Sequence, residues 1–335
     1  LKYPSFDLEA LRATPGITID FLPHSDPIRA NMLEDVDALI LLGARFTADS
    51  IPTRGRLSVV ARFGVGYDAV DVAACTAKDI AVCITPDGVR RPVAASILTL
   101  ILALTGRLVI KDRLTRQGPA GFAQARTDHM GMGVVGRILG SIGIGNIGAE
   151  MFRLVQPLGM KFIAHDPFAD PAVATELGIE LVDLETLFRR SDVLAVNCPL
   201  TPVTHHLVNA DRLALMKPTS YLINTARGPI VDQAALTAAL QDHRIAGAGL
   251  DVFEQEPPDA DDPLLQLDNV IVTPHALCWT DQCFAGIGAA DVAAVLSVLA
   301  GQRPAGLLNT SVLGQPGFMA KLDGYAKTVR QGQQP

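Results

Sequence analysis

Three side chains suited to acid–base chemistry each follow a short apolar run that predicts a β-strand. They are Arg227, Glu256 and His275. In open parallel sheets, ligands bind at the carboxyl ends of the strands. A cation, a carboxylate and an imidazole at one such edge suit proton transfer on an anionic substrate. Each residue alone would more often be a surface ion pair, a solvated acid or a loop histidine, but their joint occurrence favours a site.

A glycine-rich turn supplies a second chemical signal. An apolar strand-like run leads into Gly143, Gly145 and Gly148, in the pattern Gly-x-Gly-x-x-Gly, and then into a predicted helix. The first glycine allows a tight turn, the second lets a pyrophosphate approach the backbone, and the third allows close helix–strand packing. Asn146 and Ile147 belong to the same predicted phosphate-binding turn, since a helix N-terminus offers N–H groups to phosphates.

An acidic residue at a characteristic distance indicates which dinucleotide is bound. The next predicted strand, residues 161–165, ends at Asp166, which lies 18 residues after Gly148. This is the position of the carboxylate that binds the ribose hydroxyls of NAD. A 2′-phosphate would lie against that carboxylate, and the following Pro167 and Phe168 carry no positive charge. The sequence therefore predicts NAD(H) as cofactor, in preference to NADP(H).

Composition limits the remaining possibilities. A chain of 335 residues predicts two domains, and 49% hydrophobic residues with 29 glycines suit buried parallel strands. The net charge of −7 and a pI near 5.5 argue against nucleic-acid or membrane-surface partners. Five cysteines without a Cys-x-x-Cys pair predict reduced thiols and a cytoplasmic location. No signal peptide and no metal site are predicted.

The alternation of predicted strands and helices favours an α/β fold with doubly wound parallel sheets. It continues through the second half of the chain, where Asn209 and Asp232 are predicted helix caps. Near the N-terminus, a short helix is predicted at residues 71–78. The strands predicted in that region lie at residues 17–21, 38–42, 57–62 and 80–84.

Two further segments carry structural predictions. A strongly apolar helix is predicted from Val93, with Pro92 at its start, where a missing N–H costs little. Arg107 and several polar residues interrupt it, so a buried helix is favoured over a membrane span. The tail from Gly314 is rich in glycine and glutamine, which predicts poor order.

The order and spacing of five motifs resemble those of the NAD-dependent D-2-hydroxyacid dehydrogenases. The resemblance implies a central Rossmann NAD-binding domain, residues 113–283, and a smaller flavodoxin-like substrate domain made of residues 1–112 and 284–335. It also implies a substrate cleft between the domains and a homodimer that pairs through the central domain. The motifs are Gly64-Val65-Gly66-x-Asp68, the Gly143 pattern, Asn224-Thr225-Ala226-Arg227-Gly228, Asp251-Val252-Phe253-x-x-Glu256-Pro257 and Thr273-Pro274-His275.

The resemblance assigns catalytic and substrate-binding roles. His275 would exchange a proton with the substrate oxygen, and Glu256 would pair with the other imidazole nitrogen. Arg227 would bind the substrate carboxylate and keto oxygen in a forked geometry. The backbone N–H groups of Val65 and Gly66 would hold the substrate carboxylate.

The resemblance also implies a set of cofactor contacts. Asp251 would contact the nicotinamide carboxamide, and Arg227 and His275 would adjoin the cofactor. Other residues would line the cofactor groove, mostly through their backbone; these are Cys198, Pro199, Thr225 and Ala226.

Some positions depart from the family pattern or are left open by it. Relatives usually carry Glu where Ala95 stands, and Gly-Gly after the catalytic histidine, where Ala276-Leu277-Cys278-Trp279 follows here. Trp279 is predicted either to fill the core or to form a wall of the substrate pocket. Arg45, Arg90 and Arg91 fall on loops that face the cleft in relatives, with plain surface charge as the alternative. Arg91 could bind a second anionic group of the substrate, or pair with an acid such as Asp87.

The predicted function is hydride transfer between NAD(H) and a D-2-hydroxyacid/2-ketoacid pair, with a small anionic molecule as the partner. One alternative is a phosphite-type dehydrogenase. Another is a non-enzymatic NAD-sensing protein on the same fold, like the C-terminal-binding corepressors. A formate dehydrogenase is disfavoured, because those enzymes carry Gln where Glu256 stands.

Overall fold

The computed structural model describes residues 6–332. The strands are β1 Ala38–Leu41, β2 Val59–Arg62, β3 Ala81–Cys83, β4 Ile138–Ile142, β5 Lys161–His165, β6 Ile179–Leu181, β7 Val193–Val196, β8 Tyr221–Asn224, β9 Gly247–Leu250 and β10 Val270–Val272. The helices are α1 Glu9–Arg12, α2 Val72–Ala77, α3 Pro86–Thr105, α4 Leu108–Thr115, α5 Pro119–Thr127, α6 Asn146–Val155, α7 Pro171–Glu176, α8 Leu184–Arg190, α9 Ala210–Leu213, α10 Gln233–Gln241, α11 Asp281–Leu299 and α12 Pro316–Gly332.

The chain forms two compact units. The larger unit comprises Arg90–Cys278, and the smaller unit comprises the described residues up to Val89 and from Trp279 onward. The predicted domain boundaries, after residues 112 and 283, lie later in the chain. The larger unit starts earlier because Ile97 and Ile101 of α3 are fully buried in its core.

A seven-stranded sheet forms the centre of the larger unit. Its strand order is β10-β9-β8-β7-β4-β5-β6, and every neighbouring pair is parallel. β4 has β5 on one side and β7 on the other, so the strand order reverses between β4 and β7. A doubly wound sheet binds its ligand at such a switch point, outside the carboxyl ends of the strands. The predicted α/β parallel-sheet architecture is confirmed.

Side-chain caps explain where several helices of the larger unit begin. Asp183, Asn209 and Asp232 immediately precede α8, α9 and α10, and each side chain accepts a hydrogen bond from a backbone N–H in the first helical turn. Such a cap satisfies one of the donors that a helix N-terminus leaves without a partner. The caps predicted at Asn209 and Asp232 are confirmed, and the cap at Asp183 was not predicted.

The smaller unit has a parallel sheet in the order β1-β2-β3. Its core includes Phe46, Leu57 and Val60, all fully buried. The strand predicted at residues 17–21 is wrong, because this segment forms no strand. Its residues alternate in polarity, but neither face is buried and Phe21 is 62% exposed. Alternation without a neighbouring strand to pair with does not make a strand.

The long apolar helix starts earlier than predicted. α3 begins at Pro86, and Pro92 lies inside it rather than at its start, so that prediction was wrong. Pro86 fits a first helical turn, where its missing N–H costs nothing. Pro92 removes the N–H that would bond to the Gly88 carbonyl. The helix continues through Pro92, since the residues that follow it are buried in the core of the larger unit.

Two helices are long and apolar enough, by length and composition, to cross a bilayer. They are α3 and α11, and about half of each is buried inside the fold. The buried positions of α11 include Phe284, Ile287 and Val295. Core packing therefore accounts for the apolar character of both helices.

The C-terminal segment is a helix, so the prediction of poor order from Gly314 onward was wrong for α12. Phe318 and Leu322 are buried. The Lys321 ammonium donates to the carbonyls of Leu57, at 2.8 Å, and Asp79, at 2.9 Å. Composition indicated disorder, but these anchors hold the helix on the smaller unit. Residues 333–335 of the predicted tail lie outside the described residues.

Asp291 of α11 is a fully buried carboxylic acid in the smaller unit. Neither of its carboxyl oxygens has a hydrogen-bond partner among the described residues. Burial raises the pKa of Asp291 to about 7, and only the charge of Arg62 opposes that shift. The folded chain therefore holds a proton on Asp291 at pH values where the unfolded chain has lost it.

We expect Asp291 to make the smaller unit less stable as the pH rises from about 4 to about 7, because its folded-state pKa lies above its ordinary value of 3.8. Asp291→Asn removes this ionisation. Its free energy of unfolding relative to wild type should rise by about 2–4 kcal/mol between pH 4 and pH 8, measured by urea unfolding. Asp323→Asn, at an exposed carboxylate of α12, is the control. A difference in free energy of unfolding between Asp291→Asn and wild type that is the same at both pH values would contradict this expectation.

Candidate active site

The glycine turn between β4 and α6 has the steric properties that its pattern predicts. Gly143 has φ +94°, and a Cβ there would lie 3.0 Å from the Asn197 carbonyl. A Cβ at Gly148 would lie 2.6 Å from the Gly143 oxygen. A Cβ at Gly145 would meet nothing within 4 Å. The first and third glycines thus close the turn, and the second leaves its outer side open to a ligand.

The N-terminus of α6 faces the same turn. Gly145 is its N-cap residue and contributes no side-chain cap, and Asn146 and Ile147 are its first two residues. The N–H groups of a first helical turn have no acceptor within the helix. Together with the positive end of the helix dipole, they form a site for a phosphate group. These residues fit the pyrophosphate of a dinucleotide.

Asp166 follows β5 and is held against the glycine turn. Its Oδ2 accepts a hydrogen bond from the N–H of Ile144 at 2.9 Å, and its Oδ1 accepts one from the N–H of Phe168 at 2.9 Å. Two backbone donors therefore fix the orientation of the carboxylate. Its position beside the turn fits contact with the ribose hydroxyls of a dinucleotide.

His275 and Glu256 form a hydrogen-bonded pair. The distance from His275 Nδ1 to Glu256 Oε2 is 2.8 Å, and Glu256 Oε1 accepts from the N–H of Phe253 at 3.0 Å. Burial alone would raise the pKa of Glu256, but the hydrogen bonds from His275 and Phe253, with the charge of Arg227, outweigh burial and lower that pKa. Glu256 is therefore a carboxylate at neutral pH and suits the orientation of an imidazole.

The loop that carries His275 is fixed by a buried acid. His275 has φ +53°, in the left-handed region that is uncommon for residues other than glycine. Asp251, which is 3% exposed, accepts hydrogen bonds from the Thr273 hydroxyl at 2.7 Å and from the N–H groups of Ala276 and Leu277 at 3.1 and 3.2 Å. These bonds brace the backbone on both sides of His275.

This bracing role of Asp251 was missed from the sequence. The one signal for it was Thr273, a hydroxyl placed two residues before His275. The predicted contact between Asp251 and the nicotinamide carboxamide stays a prediction.

Arg227 lies in a turn that Asn224 holds together. The Asn224 amide donates to the Arg227 carbonyl at 2.9 Å, and its oxygen accepts from the N–H of Ala226 at 3.0 Å. The Arg227 guanidinium donates to the Ala226 carbonyl at 2.6 Å. The next residue must be glycine, because a Cβ at Gly228 would overlap the Phe253 carbonyl. The segment after Arg227 is thereby packed against the segment that leads to Glu256.

The remaining predicted cofactor contacts lie at the ends of neighbouring strands. Cys198 and Pro199 follow β7, and Thr225 follows β8. Burial raises the pKa of the Cys198 thiol to about 11, so the thiol is protonated at neutral pH and is a poor nucleophile. The Pro199 carbonyl accepts from the Thr204 hydroxyl at 2.7 Å, which holds the loop in place. This location suits the lining of a cofactor groove.

In the smaller unit, the loop with Val65 and Gly66 is held from one end. The N–H of Gly64 donates to the Thr85 hydroxyl at 3.0 Å, and the Gly64 carbonyl accepts from the N–H of Thr85 at 2.9 Å. The two bonds fix the backbone immediately before Val65. The position of the predicted carboxylate-binding amides in this unit is thereby set.

Two of the arginines predicted to bind substrate take part in ion pairs. Arg45 Nε lies 3.2 Å from Asp26 Oδ1, and both side chains are largely exposed. Arg91 Nη1 lies 2.6 Å from Oε1 of Glu150, a mostly buried acid of α6. The acid that Arg91 contacts is thus Glu150, rather than the Asp87 suggested from the sequence. Each arginine would have to exchange its ion pair to bind a substrate anion.

Trp279 combines features of both predicted alternatives. Its ring packs edge-on against Phe284 with 5.4 Å between centroids, and Phe284 contacts Phe63 at 5.0 Å. The tryptophan is still 41% exposed. It is therefore part of an aromatic cluster of the smaller unit and retains an accessible surface.

Comparison with known proteins identifies the family. Residues 98–276 match the model of the D-isomer specific 2-hydroxyacid dehydrogenase NAD-binding domain. This chain belongs to that family. The matched range contains the glycine turn, Asp166, Arg227, Glu256 and His275.

Relatives extend the likeness beyond the cofactor-binding domain. A glyoxylate reductase of Korarchaeum cryptofilum is 37% identical over 302 residues, which cover 89% of this chain and 91% of the relative. A D-3-phosphoglycerate dehydrogenase of Methanocaldococcus jannaschii is 36% identical over 279 residues, covering 83% of this chain and 52% of the relative. The holo D-mandelate dehydrogenase of Rhodotorula graminis has a TM-score of 0.73 and 31% identity, covering 78% of this chain and 77% of that one.

Family membership confirms the predicted class of activity. The chain is an NAD-dependent oxidoreductase that transfers hydride between a 2-hydroxyacid and a 2-ketoacid. The two alternatives, a phosphite-type dehydrogenase and a non-enzymatic NAD-sensing protein, are not favoured by these relatives.

The orientation of Asp166 predicts the cofactor preference. Because its carboxylate would repel a 2′-phosphate, kcat/KM with NADH should exceed that with NADPH by roughly 10–100-fold. Asp166→Asn should reduce this ratio, since the amide oxygen can still accept a backbone hydrogen bond while the charge is lost. Asp170→Asn, at the exposed cap of α7, is the control and should leave the ratio unchanged. A wild-type preference for NADPH would contradict the assignment.

Proposed function

We propose that Arg227, Glu256 and His275 catalyse the reversible reduction of a small 2-ketoacid to its D-2-hydroxyacid with NADH. The observation that carries this proposal is the 2.8 Å contact between His275 and Glu256. Both residues follow strands of the sheet that also carries the glycine turn. Arg227, which follows a neighbouring strand, supplies the positive charge that an anionic substrate requires.

The contact between His275 and Glu256 supports a proton-transfer role for His275. NAD supplies the hydride acceptor and NADH the hydride donor. Since Glu256 occupies Nδ1 of His275, Nε2 is the ring nitrogen that can exchange a proton with the substrate. The Glu256 carboxylate holds the ring in this orientation, and during reduction His275 donates a proton from Nε2 to the keto oxygen. In the reverse direction the neutral ring accepts the hydroxyl proton.

Arg227 binds and polarises the substrate. Its planar guanidinium offers donors to a carboxylate and a neighbouring keto oxygen together, a geometry that lysine cannot reproduce. As hydride adds to the keto carbon, negative charge develops on the keto oxygen, and a fixed cation stabilises it. Binding of the substrate carboxylate by the backbone N–H groups of Val65 and Gly66 stays a prediction.

A small 2-ketoacid such as glyoxylate or hydroxypyruvate is the proposed substrate. The support comes from glyoxylate reductases, which match this chain over nearly their whole length. Arg45 and Arg91 stay predictions as additional substrate groups. Asp26 and Glu150 already neutralise them, which agrees with a substrate that carries one carboxylate.

A cytoplasmic location is proposed as well. The five cysteines are free thiols. Burial raises the pKa of both Cys75 and Cys83 to about 12, so these thiols are unreactive at neutral pH. With a net charge of −7, the chain suits a small-molecule substrate, and neither nucleic acid nor a membrane is a proposed partner.

The test of the activity is a panel of 2-ketoacids assayed with NADH. Glyoxylate, hydroxypyruvate, pyruvate, phenylpyruvate and phosphohydroxypyruvate differ in size and charge, and we expect the fastest reduction with one of the first two. His275→Ala should lower kcat by roughly 10²–10⁴-fold while NADH still binds, because a positioned acid–base group contributes about that much. Turnover that is unchanged in His275→Ala would remove this residue from the mechanism.

We also propose that the protein is a homodimer formed by the larger unit. Among the described residues, six of the exposed large hydrophobic side chains lie in the range 102–135. The first is on α3, and the other five follow that helix. This concentration of exposed apolar side chains supports the proposed interface. The six are Leu102, Leu108, Val109, Phe122, Met130 and Val135.

The dimer can be tested by mass measurement in solution. We expect about 71 kDa by light scattering, which is twice the 35.5 kDa of one chain. Leu108→Glu with Phe122→Glu should shift the mass to that of a monomer, since two charges would be buried at the interface. Val203→Glu changes an apolar side chain that is 84% exposed elsewhere in the larger unit, and it should leave the dimer intact. A monomeric wild type at micromolar concentration would refute the dimer.

A further inference from the structure

Two segments of the larger unit that carry proposed catalytic residues meet at a point away from those side chains. One is the segment that follows Arg227, and the other is the segment that precedes Glu256. Their backbones touch where Gly228 faces the carbonyl of Phe253, a contact that leaves no room for a side chain. The side chain of Glu254, the next residue, extends from this point.

The Glu254 carboxylate joins three parts of the chain. Its Oε1 lies 2.7 Å from Nε2 of His206, and its Oε2 accepts from the N–H of Gln233 at 3.2 Å. In return, the N–H of Glu254 donates to the side-chain oxygen of Gln233 at 3.0 Å. The amide of Gln233 donates to Asp262 at 2.6 Å, within the loop that follows Glu256. We call His206, Gln233 and Glu254 the Glu254 network.

His206 is itself held in place. Its N–H donates to the carbonyl of Pro229, two residues after Arg227, at 2.9 Å. The ring of His205 stacks on its ring, with 4.0 Å between centroids. Its backbone has φ +50°, so the imidazole leaves the chain from a constrained conformation. His206 therefore presents its ring to Glu254 from a fixed position beside the Arg227 segment.

The Glu254 network is connected to the proposed catalytic groups through residues that are close to them in sequence. Glu254 is two residues from Glu256, and Phe253, the residue before Glu254, donates its N–H to the Glu256 carboxylate at 3.0 Å. A shift of the backbone at Glu254 would therefore move the acceptor that orients His275. On the other side, Pro229 and Gln233 follow Arg227 in the same segment, so a shift there would move the guanidinium.

We propose that the Glu254 network positions Arg227 relative to the Glu256–His275 pair, and that Glu254 is a positioning residue of the reaction. This inference rests on the proposed function. Arg227 binds the substrate and His275 transfers the proton, so the rate depends on the distance between them. Proximity effects are steep, and a displacement of about 1 Å can cost roughly 10²-fold in rate.

A purely structural role predicts a different result. His206 and Glu254 are 36% and 37% exposed, and ion pairs with that much solvent contact contribute little to the stability of the fold. Removing Glu254 should therefore change the melting temperature only slightly. A large loss of rate without a large loss of stability is the signature of positioning.

The test compares Glu254→Ala with a matched control. Glu180 forms an ion pair with Arg190 at 2.7 Å on the surface of the same unit, so Glu180→Ala removes a similar contact away from the site. With the best ketoacid of the panel, we expect Glu254→Ala to lower kcat by about 10-fold and to change KM for NADH by less than about 2-fold. Glu180→Ala should match wild type in kcat, and both variants should melt within a few degrees of wild type.

Two further variants distinguish positioning from general damage. Glu254→Gln keeps an oxygen that can accept from the N–H of Gln233, so it should recover part of the rate. Arg227→Lys removes the forked donor that the network positions. Adding Glu254→Ala to Arg227→Lys should then lower kcat by less than it does in wild type, because the two changes act through one group.

The outcomes separate the inference from the function on which it rests. A kcat for Glu254→Ala equal to that of Glu180→Ala, with an active wild type, would overturn the network alone. The network would also be overturned if adding Glu254→Ala to Arg227→Lys lowered kcat by the same factor as Glu254→Ala does in wild type. A wild type that reduces none of the five ketoacids would overturn the proposed function together with this inference.

Discussion

Parallel pairing of the strands is the constraint on which the site depends. In the larger unit, β4 and β7 to β10 are joined by parallel ladders, so their carboxyl ends lie along one edge. The glycine turn, Arg227, Glu256 and His275 all follow these strands, although more than a hundred residues separate the first from the last. Without this pairing, no local sequence preference would bring a dinucleotide-binding turn and an acid–base pair to the same edge.

The sequence was sufficient where local physics decides the structure. The apolar run before Gly143 and the caps at Asn209 and Asp232 depend on neighbours within a few residues, and each was predicted correctly. Predictions failed where burial by distant residues decides. Phe21 lies in an alternating segment with no strand beside it, and Phe318 lies in a polar tail that is anchored on the smaller unit. Neither the missing neighbour nor the anchor can be inferred from the segment itself.

In the candidate site, too, some residues could be predicted from the sequence and others could not. Arg227, Glu256 and His275 were predicted as site residues because reactive residue types follow predicted strands in a recurrent order. The residues whose hydrogen bonds hold the site in place were not predicted. Asp251 holds the His275 loop by accepting hydrogen bonds from a side-chain donor and from backbone donors. The ion pair of Arg91 was not predicted either: its guanidinium donates to Glu150, an acid 59 residues away in sequence. Such contacts use residue types that are common everywhere, so only the three-dimensional arrangement reveals them.

Two carboxylic acids of this chain show how donors, rather than burial alone, decide charge. Burial raises the pKa of Asp291, and no hydrogen-bond donor contacts its oxygens within the described chain, so its pKa reaches about 7. Glu256 is also partly buried, but the His275 imidazole and the N–H of Phe253 donate to it, and its pKa is lowered instead. A negative Glu256 accepts the hydrogen bond of the His275 ring and so orients the imidazole for the proposed proton transfer. The donors around Glu256 thus keep this carboxylate charged, which suits its proposed role of orienting His275.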